Sequence, residues 1–287
     1  MDESKTKILA VIPTILPTER LLTACYSLVN SSLWFDCDVQ VIYNTETDYK
    51  HVEPAIWSQE MEDKLNDLAD VFYPHTNLNW LHSCNLGLFS SCYPAGEYSH
   101  ALLLNDDVEL SEGFLEHMII TATTPIDSSR PLPGIVAPMY NSFFGEKQRE
   151  VPWKNTKDRP PILTNYIDGT CMLIRTELVE KIGVLDGSFG TPGWGADVDY
   201  CFRAGQAGAL IWVCPNAYLW HDKQVGGYSA EKIYGSAREW HQKGLKQGKT
   251  DLKAKYGPDF RKLLGLPDTA FLEFKQHLKS VESMRRS

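Results

Sequence analysis

The alternation of short apolar runs with amphipathic segments limits this chain to a small set of folds. Residues 7–15 form an apolar run typical of a strand buried on both faces, and residues 19–29 carry apolar side chains at helical spacing. Further short apolar runs lie at residues 39–43, 71–73 and 101–104. Strands that alternate with helices predict a mostly parallel sheet with helices on its faces. Such sheets bind ligands beyond the carboxyl ends of their strands, so the polar residues that follow each run are the candidate functional residues.

The composition excludes several classes of protein. With 287 residues, 43% of them hydrophobic, the chain is long enough to bury a full core, and its net charge of −9 argues against a nucleic-acid surface. The seven cysteines form no C-x-x-C pair and lie mostly in apolar runs, which indicates buried thiols in a reducing compartment. No apolar segment follows Met1, and no uncharged stretch approaches the roughly 18 residues of a membrane span. We therefore expect a soluble, cytoplasmic protein without a transmembrane segment.

A glycine-rich loop runs into a helix that carries two carboxylates. The loop at residues 190–195 can pass close to a ligand, because glycine has no Cβ. Asp197 lies at the start of the predicted helix, where the helix dipole is expected to lower its pKa and keep it ionised at neutral pH. Asp199 is expected to pair with Arg203 one turn later and to be structural. Asp197 is therefore either a functional carboxylate or only a cap of the helix.

Polar residues after two other apolar runs indicate a metal site. Asn105, Asp106 and Asp107 directly follow an apolar run, and burying such groups is costly unless they hold something. The spacing favours a divalent cation, and the alternative is a turn that caps the next helix. His221 follows the apolar run at residues 209–214, after Pro215, and an imidazole at that strand end can meet these carboxylates. A carboxylate with an imidazole favours Mn²⁺ over Mg²⁺.

Two proline-containing stretches are expected to interrupt the regular structure. The apolar run at residues 209–214 predicts a strand that ends in a turn at Pro215. Residues 124–161 are rich in proline, serine and charge, with one short apolar piece at 134–138, and predict a long loop beside the site.

These elements, in this order, resemble the inverting family 2 glycosyltransferases. The matching segments are VIPT at 11–14, YNTETD at 43–48, the spacing of Asn77, Asn85 and Gly87, LLLNDDVEL at 102–110, IDGTCMLIR at 167–175, ADVDYCFR at 196–203, and His221. The resemblance covers about residues 7–221. It implies a GT-A type α/β fold, with a Rossmann-like, mostly parallel central sheet flanked by helices. The implied organisation is a GT-A domain over 1–225, with a nucleotide-sugar half at about 1–110 and an acceptor half at about 111–225, and a helical C-terminal extension at 226–287.

The same resemblance implies a role for each site residue. The nucleotide-sugar contacts that it implies are Pro13, Thr14, Tyr43, Asn44, Asp48, Asn77, Asn85, Asn105 and Asp106. Asp107 and His221 would hold Mn²⁺ (or Mg²⁺), and Asp168, Gly169 and Trp194 would contact the sugar or the acceptor. Trp194 can equally be a packing residue of its loop. Asp197 would be the general base that deprotonates the incoming hydroxyl.

The chain departs from the family pattern at three positions. Tyr43 stands where the family usually has an aspartate that binds the nucleobase, Asn79 replaces a usual glycine, and Ala196 replaces a glutamate. Because Tyr43 can stack on a pyrimidine, we expect a uridine or thymidine diphosphate over guanosine diphosphate.

The leading hypothesis is a metal-dependent inverting transferase that moves a hexose from a nucleoside-diphosphate sugar to a hydroxyl of a glycan or glycoconjugate. Non-catalytic binding of nucleotide sugars or glycans and transfer to a non-carbohydrate acceptor are the alternatives. A nucleotidyltransferase would need a glycine-rich loop with Lys or Arg after the first strand, and residues 13–18 contain none. No nucleic-acid partner is expected.

Overall fold

A computed structural model describes residues 6–15, 18–31, 35–44, 58–74, 76–125, 130–141, 148, 159–221, 236–268 and 270–271. The strands are β1 (Lys7–Thr14), β2 (Asp36–Tyr43), β3 (Asp70–Phe72), β4 (His100–Leu104), β5 (Val108–Leu110), β6 (Pro133–Tyr140), β7 (Ile162–Thr164), β8 (Cys171–Arg175) and β9 (Leu210–His221). The helices are α1 (Glu19–Ser31), α2 (Gln59–Asn66), α3 (Asn79–Ser91), α4 (Phe114–Thr123), α5 (Thr176–Ile182), α6 (Ala196–Gln206), α7 (Ala237–Tyr256) and α8 (Phe260–Leu263). Asp48 and the expected domain boundary at residue 225 lie outside the described residues.

The strands form one mixed sheet in the order β3-β2-β1-β4-β8-β6-β9, and β5 and β7 pair with different parts of β9. Strands β3, β2, β1 and β4 are parallel to one another, and β6 is parallel to β9. β8 runs antiparallel between β4 and β6, and β5 and β7 run antiparallel to β9. The predicted α/β fold with a mostly parallel central sheet flanked by helices is confirmed.

Each face of the sheet carries its own hydrophobic core. On one face α1 and α4 contribute Leu28 and Phe114, which are fully buried because apolar residues recur at helical spacing along both helices. On the other face Leu88 of α3, Tyr200 of α6 and Leu252 of α7 are fully buried. The described residues after 235 contain α7 and α8, and α7 shares the core of the second face.

Two predictions about irregular structure are wrong. Residues 133–140 lie within the predicted loop but form β6, which is buried along its whole length between β8 and β9. Pro215 does not end the preceding strand, because β9 continues to His221 through an irregularity at which the partners of β6 jump from Cys214 to Tyr218. Proline is tolerated there since a bulge leaves a residue outside the hydrogen-bonded ladder.

The structure also bears on the expectations of buried thiols and of no transmembrane segment. All seven cysteines are free, and six of them are buried, as expected for small apolar thiols. Within the described ranges, no helix combines the length and the apolar character that a bilayer crossing requires.

Helix α3 approaches β1 closely at one glycine. A Cβ atom built on Gly87 would overlap both Cγ atoms of Val11, a buried residue of β1. Gly205 lies in α6 and is exposed, and a Cβ there would meet nothing within 4 Å. The two helical glycines therefore differ sharply in the space around them, and Gly205 lies near the end of its helix.

We predict opposite effects of the same substitution at these positions. Gly87→Ala should lower the free energy of unfolding by about 1–3 kcal/mol, because overpacking against Val11 outweighs the gain in helix propensity. Gly205→Ala should raise the free energy of unfolding by up to about 1 kcal/mol, since only the higher helix propensity of alanine acts there. Urea denaturation of both variants measures the difference, and equal effects would contradict the close contact between α3 and β1.

Candidate active site

The candidate site lies at one edge of the sheet, where several strands end or begin with polar residues. Thr14 ends β1, Asn44 follows β2, and Asn105 follows β4. β8 runs antiparallel to β4, so its first residue, not its last, lies at this edge. The backbone N–H of Asn105 donates to the carbonyl of Thr170 at 3.0 Å, which ties the two strand ends together.

The carboxylates after β4 are partly held by β1. Oγ1 of Thr14 donates to Oδ2 of Asp106 at 2.6 Å. Burial raises the pKa of Asp106 to about 7, with a further increase from the negative charge of Asp107. The hydrogen bond from Thr14 and the nearby His221 lower this pKa but do not offset the increase. Two acidic groups so close together form a site that a positive charge stabilises.

Asp107 and His221 are in contact. Their Oδ1 and Nε2 atoms are 3.1 Å apart, and only 6% and 18% of the two side chains are exposed. The contact follows from the sheet register, because Val108 of β5 pairs with His221 of β9. Asn141 fixes the backbone of His221 from the other side, accepting from its N–H at 2.8 Å and donating to its carbonyl at 3.3 Å. The predicted proximity of Asp107 and His221 is confirmed.

The surroundings of this pair fit a hydrated or ligand-bound metal ion. A cavity of about 270 Å³ adjoins it, lined by Arg20, Asp107, Val108, Glu109, Asn141, Trp220 and His221. Within the described part of the chain, no three His, Cys, Asp or Glu side chains converge as a complete ligand set. The protein would therefore supply two ligands, Asp107 and His221, and the remaining ligands would be oxygens of a bound substrate or of water. This oxygen and nitrogen pair suits Mn²⁺.

Asp197 lies on the other side of the same edge. Its Oδ2 accepts from the N–H of Gly169 at 2.9 Å, and its Oδ1 accepts from the N–H of Val198 at 2.8 Å. Burial raises the pKa of Asp197 to about 7, and the negative charge of Asp168 raises it further. The prediction that the helix N-terminus lowers this pKa is wrong, because burial and Asp168 outweigh the backbone N–H groups.

Asp168 is fixed by its own turn. Its Oδ1 accepts from the N–H of Thr170 at 2.9 Å and from Oγ1 of Thr170 at 2.5 Å. Its N–H donates to Oε1 of Gln148 at 2.7 Å. Gln148 is itself 99% buried and was not identified in the sequence, where nothing but its polarity within a predicted loop distinguishes it. The turn holds Asp168 beside Asp197.

Trp80 connects the two sides of the edge and was also not identified. Its Nε1 donates to Oδ1 of Asn105 at 3.1 Å. A Cβ atom on Gly169 would lie 2.8 Å from Cη2 of Trp80 and 3.3 Å from Cβ of Asp197, so this glycine lets the indole approach the carboxylate. A large aromatic residue between the two asparagines of the Asn77–Asn85 segment was the available sequence signal.

The expected nucleotide contacts on β2 and α3 have different surroundings. Oδ1 of Asn44 accepts from the N–H of Leu78 at 3.1 Å and from Oγ of Ser83 at 3.0 Å, so this amide anchors the start of α3. Oδ1 of Asn77 accepts from the N–H of Asn79 at 2.7 Å. Nδ2 of Asn85 donates to the carbonyl of Leu185, away from the strand ends. Asn79 has φ 54°, the left-handed conformation that glycine or asparagine adopts most readily.

The remaining predicted contacts lie at β1, β2 and the loop before α6. Pro13 is buried in β1, where it pairs with Ile42. Tyr43 ends β2, partly exposed, with its ring edge-on to Tyr73 at a centroid distance of 5.5 Å. Trp194 packs against α7, where a Cβ on Gly244 would lie 2.9 Å from its indole.

The predicted structural pair in α6 is confirmed. Nε of Arg203 lies 2.9 Å from Oδ2 of Asp199, which is fully buried. The same guanidinium donates to the carbonyls of Ile182 and Val184 at 2.9 Å each. Asp199 also binds Tyr256 of α7, so it holds the start of α6 without reaching the edge of the sheet.

The fold is shared with glycosyltransferases of known structure. The crystal structure of GalNAc-T7 with UDP, GalNAc and Mn²⁺ matches 98% of this chain and 58% of its own, with a TM-score of 0.55 and 12% identity. The mannosyltransferase PcManGT from Pyrobaculum calidifontis, in complex with GDP-Man and Mn²⁺, matches 91% of this chain and 68% of its own, with a TM-score of 0.55 and 15% identity. The fold is thus of the GT-A type. A shared fold does not decide between inverting and retaining transfer.

Sequence comparison adds relatives of unstated activity. No family model matches the chain. Uncharacterized proteins of Mycobacterium bovis and Mycobacterium tuberculosis are 29% identical over 177 residues, which is 58% of this chain. The match spans 62% of the length of these relatives.

The raised pKa of Asp197 predicts a pH-dependent effect of its replacement. Since the folded protein binds this proton up to pH of about 7 and the unfolded chain only up to about 4, wild-type stability should fall as the pH rises between these values. Asp197→Asn removes this loss. The free energy of unfolding of the variant, relative to wild type, should therefore increase from pH 5 to pH 8, as measured by urea denaturation at each pH. A difference that stays constant with pH would contradict the raised pKa.

Proposed function

We propose that this protein is a divalent-metal-dependent inverting glycosyltransferase. It transfers a hexose from a nucleoside-diphosphate sugar to a hydroxyl of a glycan or glycoconjugate. The observation that carries the proposal is the arrangement at one sheet edge, where Trp80 contacts Asn105, two residues before the Asp107–His221 pair, and approaches Gly169 beside Asp197. One side suits a diphosphate with its metal, and the other suits an acceptor hydroxyl.

The donor side would bind the diphosphate. Asp107 and His221 would hold Mn²⁺, which when bound stabilises the negative charge that develops on the diphosphate as it leaves. Arg20 lines the same cavity and brings a positive charge to it. Thr14 and Asp106, which share a hydrogen bond beside Asp107, would contact the nucleotide. Both structural neighbours were solved with Mn²⁺ and a nucleotide or nucleotide sugar, which supports this assignment.

The nucleobase of the donor is proposed to bind at the end of β2. Tyr43 and Tyr73 form an aromatic pair at the ends of two neighbouring parallel strands. This surface can accept the flat face of a pyrimidine. We therefore retain uridine or thymidine diphosphate as the expected nucleotide, with Asp48 as a further contact from the sequence resemblance.

The acceptor side would carry the general base, Asp197. A carboxylate with a pKa near the working pH is suited to accept a proton during the reaction, and burial and Asp168 give Asp197 a pKa of about 7. The N–H groups of Gly169 and Val198 fix the orientation of this carboxylate. Asp197 would accept the proton of the acceptor hydroxyl as its oxygen attacks the anomeric carbon from the face opposite the diphosphate. Direct displacement of this kind inverts the anomeric configuration.

The metal assignment predicts a specific loss of nucleotide binding. His221→Ala should remove most of the Mn²⁺-dependent thermal stabilisation by uridine diphosphate, because a ligand stabilises the folded protein only at concentrations well above its Kd, and loss of the metal ligand raises that Kd. The matched control is His117→Ala on α4, an imidazole outside this site, which should leave the Mn²⁺-dependent shift unchanged. A shift in the His221 variant equal to that of wild type, or one that chelator does not alter in wild type, would overturn the assignment.

The assignment of Asp197 as the general base predicts that its replacement slows transfer but leaves donor binding unchanged. Asp197→Asn should slow transfer by roughly two to four orders of magnitude, the usual contribution of a general base. Nucleotide affinity should not change. In wild type, kcat should rise with pH through about 7, because only the ionised carboxylate accepts a proton.

Asp199→Asn is the matched control for this variant. It removes the charge that pairs with Arg203 in the core, and the free energy of unfolding should fall by roughly 3–5 kcal/mol. The transfer rate per folded molecule should change far less than in Asp197→Asn. Near-full turnover of Asp197→Asn in a steady-state assay would place the base elsewhere. Product anomers identified by proton NMR as retained would contradict inversion.

A further inference from the structure

The loop that precedes Asp197 contributes one residue to an aromatic cluster, and helix α7 contributes the other two. The ring centroids of Trp194 and Trp240 are 5.8 Å apart, those of Trp194 and His241 are 5.3 Å apart, and those of Trp240 and His241 are 5.2 Å apart. All three contacts are edge-to-face, and each of the three residues is partly exposed. We call Trp194, Trp240 and His241 the aromatic cluster.

Two glycines of α7 set this helix close against the loop. A Cβ atom on Gly244 would lie 2.9 Å from the indole of Trp194, and one on Gly248 would lie 2.5 Å from the carbonyl oxygen of Trp194. The two glycines are four residues apart, so they lie on the same side of the helix. Any side chain at these positions would move α7 away from the loop.

Polar bonds fix α7 to the loop and to α6. Oδ2 of Asp251 accepts from the N–H of Gly190 at 2.9 Å, at the start of the loop. The hydroxyl of Tyr256 donates to Oδ1 of Asp199 at 2.6 Å, and Nζ of Lys255 lies 2.5 Å from the same oxygen. The carboxylate of Asp199, which Tyr256 and Lys255 bind, is fully buried. The C-terminal part of α7 is therefore held against the start of the loop and against the first turn of α6.

Helix α7 runs alongside the loop and the first turn of α6. Gly244 lies beside Trp194, just before α6 begins, and Tyr256 lies beside Asp199, one turn into α6. Trp240 and His241 come about one turn before Gly244, near the N-terminal end of α7, where both rings contact Trp194. The aromatic cluster therefore lies beside the loop that leads to Asp197.

We propose that the aromatic cluster is the surface on which the carbohydrate acceptor lies. The proposal rests on the proposed function and assigns the C-terminal helix a role in it. Sugar rings present apolar C–H faces, which pack on partly exposed aromatic rings, and polar groups at such a site fix the orientation of hydroxyls. Trp240 and Trp194 supply the rings, His241 supplies the polar group, and Asp197 follows three residues after Trp194.

The test measures saccharide binding directly, without the transfer reaction. Maltose, cellobiose, lactose and chitobiose are titrated into the protein, with intrinsic tryptophan fluorescence and saturation-transfer NMR as readouts. For the disaccharide that binds wild type most tightly, Trp240→Ala should raise the Kd about tenfold or more. Trp240→Phe, which keeps an aromatic ring, should retain most of the affinity.

The matched control is Lys249→Ala. Lys249 is exposed and lies nine residues after Trp240, on the opposite side of α7, so its replacement should leave the Kd unchanged. The thermal shift with uridine diphosphate and Mn²⁺ should be the same in all three variants, which shows that each is folded and that the donor side is intact.

The outcomes separate this inference from the proposed function. Equal disaccharide affinity in wild type and Trp240→Ala, or no binding of any of the four disaccharides to a wild type that does bind the nucleotide, would overturn the inference alone. Loss of the nucleotide response together with saccharide affinity in both Trp240 variants would show that the cluster only supports the fold, which also overturns it. A wild type that binds disaccharide but no nucleotide would instead overturn the proposed function.

Discussion

The pairing of β4 with the antiparallel strand β8 is the constraint on which the candidate site depends. Leu104 pairs with Cys171, so the end of one strand and the beginning of the other meet at the same edge. The hydrogen bond from Asn105 to Thr170 extends this pairing past the last strand residues. A parallel strand in the position of β8 would place its first residues at the opposite edge. The antiparallel pair therefore brings the acidic residues that follow β4 next to those that precede β8.

The two groups of carboxylates differ in what surrounds them. Asp107 has a histidine within 3.1 Å, and Arg20 lines the cavity beside it. Asp197 has backbone N–H groups as hydrogen-bond donors and Asp168 as a negative neighbour. Trp80 contacts Asn105 on one side and Gly169 on the other, and so links the two groups. Carboxylates in unlike surroundings can take different roles in one reaction.

The sequence predicts what depends on local pattern, and it misses what depends on distant neighbours. The apolar strands and the Asp199–Arg203 pair follow from spacing along the chain, and both are confirmed. The expectation that Pro215 ends its strand is wrong because β9 pairs with β6 on both sides of the irregularity. The pKa of Asp197 could not be predicted either, since it is set by burial and by Asp168, which is 29 residues away in the chain. The role of Trp80 likewise arises only from contacts made in the fold.

The central claim is that both groups of carboxylates serve one transfer reaction, one at the donor diphosphate and the other at the acceptor hydroxyl that attacks the donor sugar. Crystals of the protein soaked with uridine diphosphate glucose and Mn²⁺ test it most directly, with anomalous diffraction to locate the metal. The account predicts an anomalous peak within bonding distance of Asp107 and His221, with the diphosphate on the metal and the anomeric carbon directed toward Asp197. A metal bound elsewhere, or a nucleotide whose sugar lies away from the edge shared by β4 and β8, would contradict it.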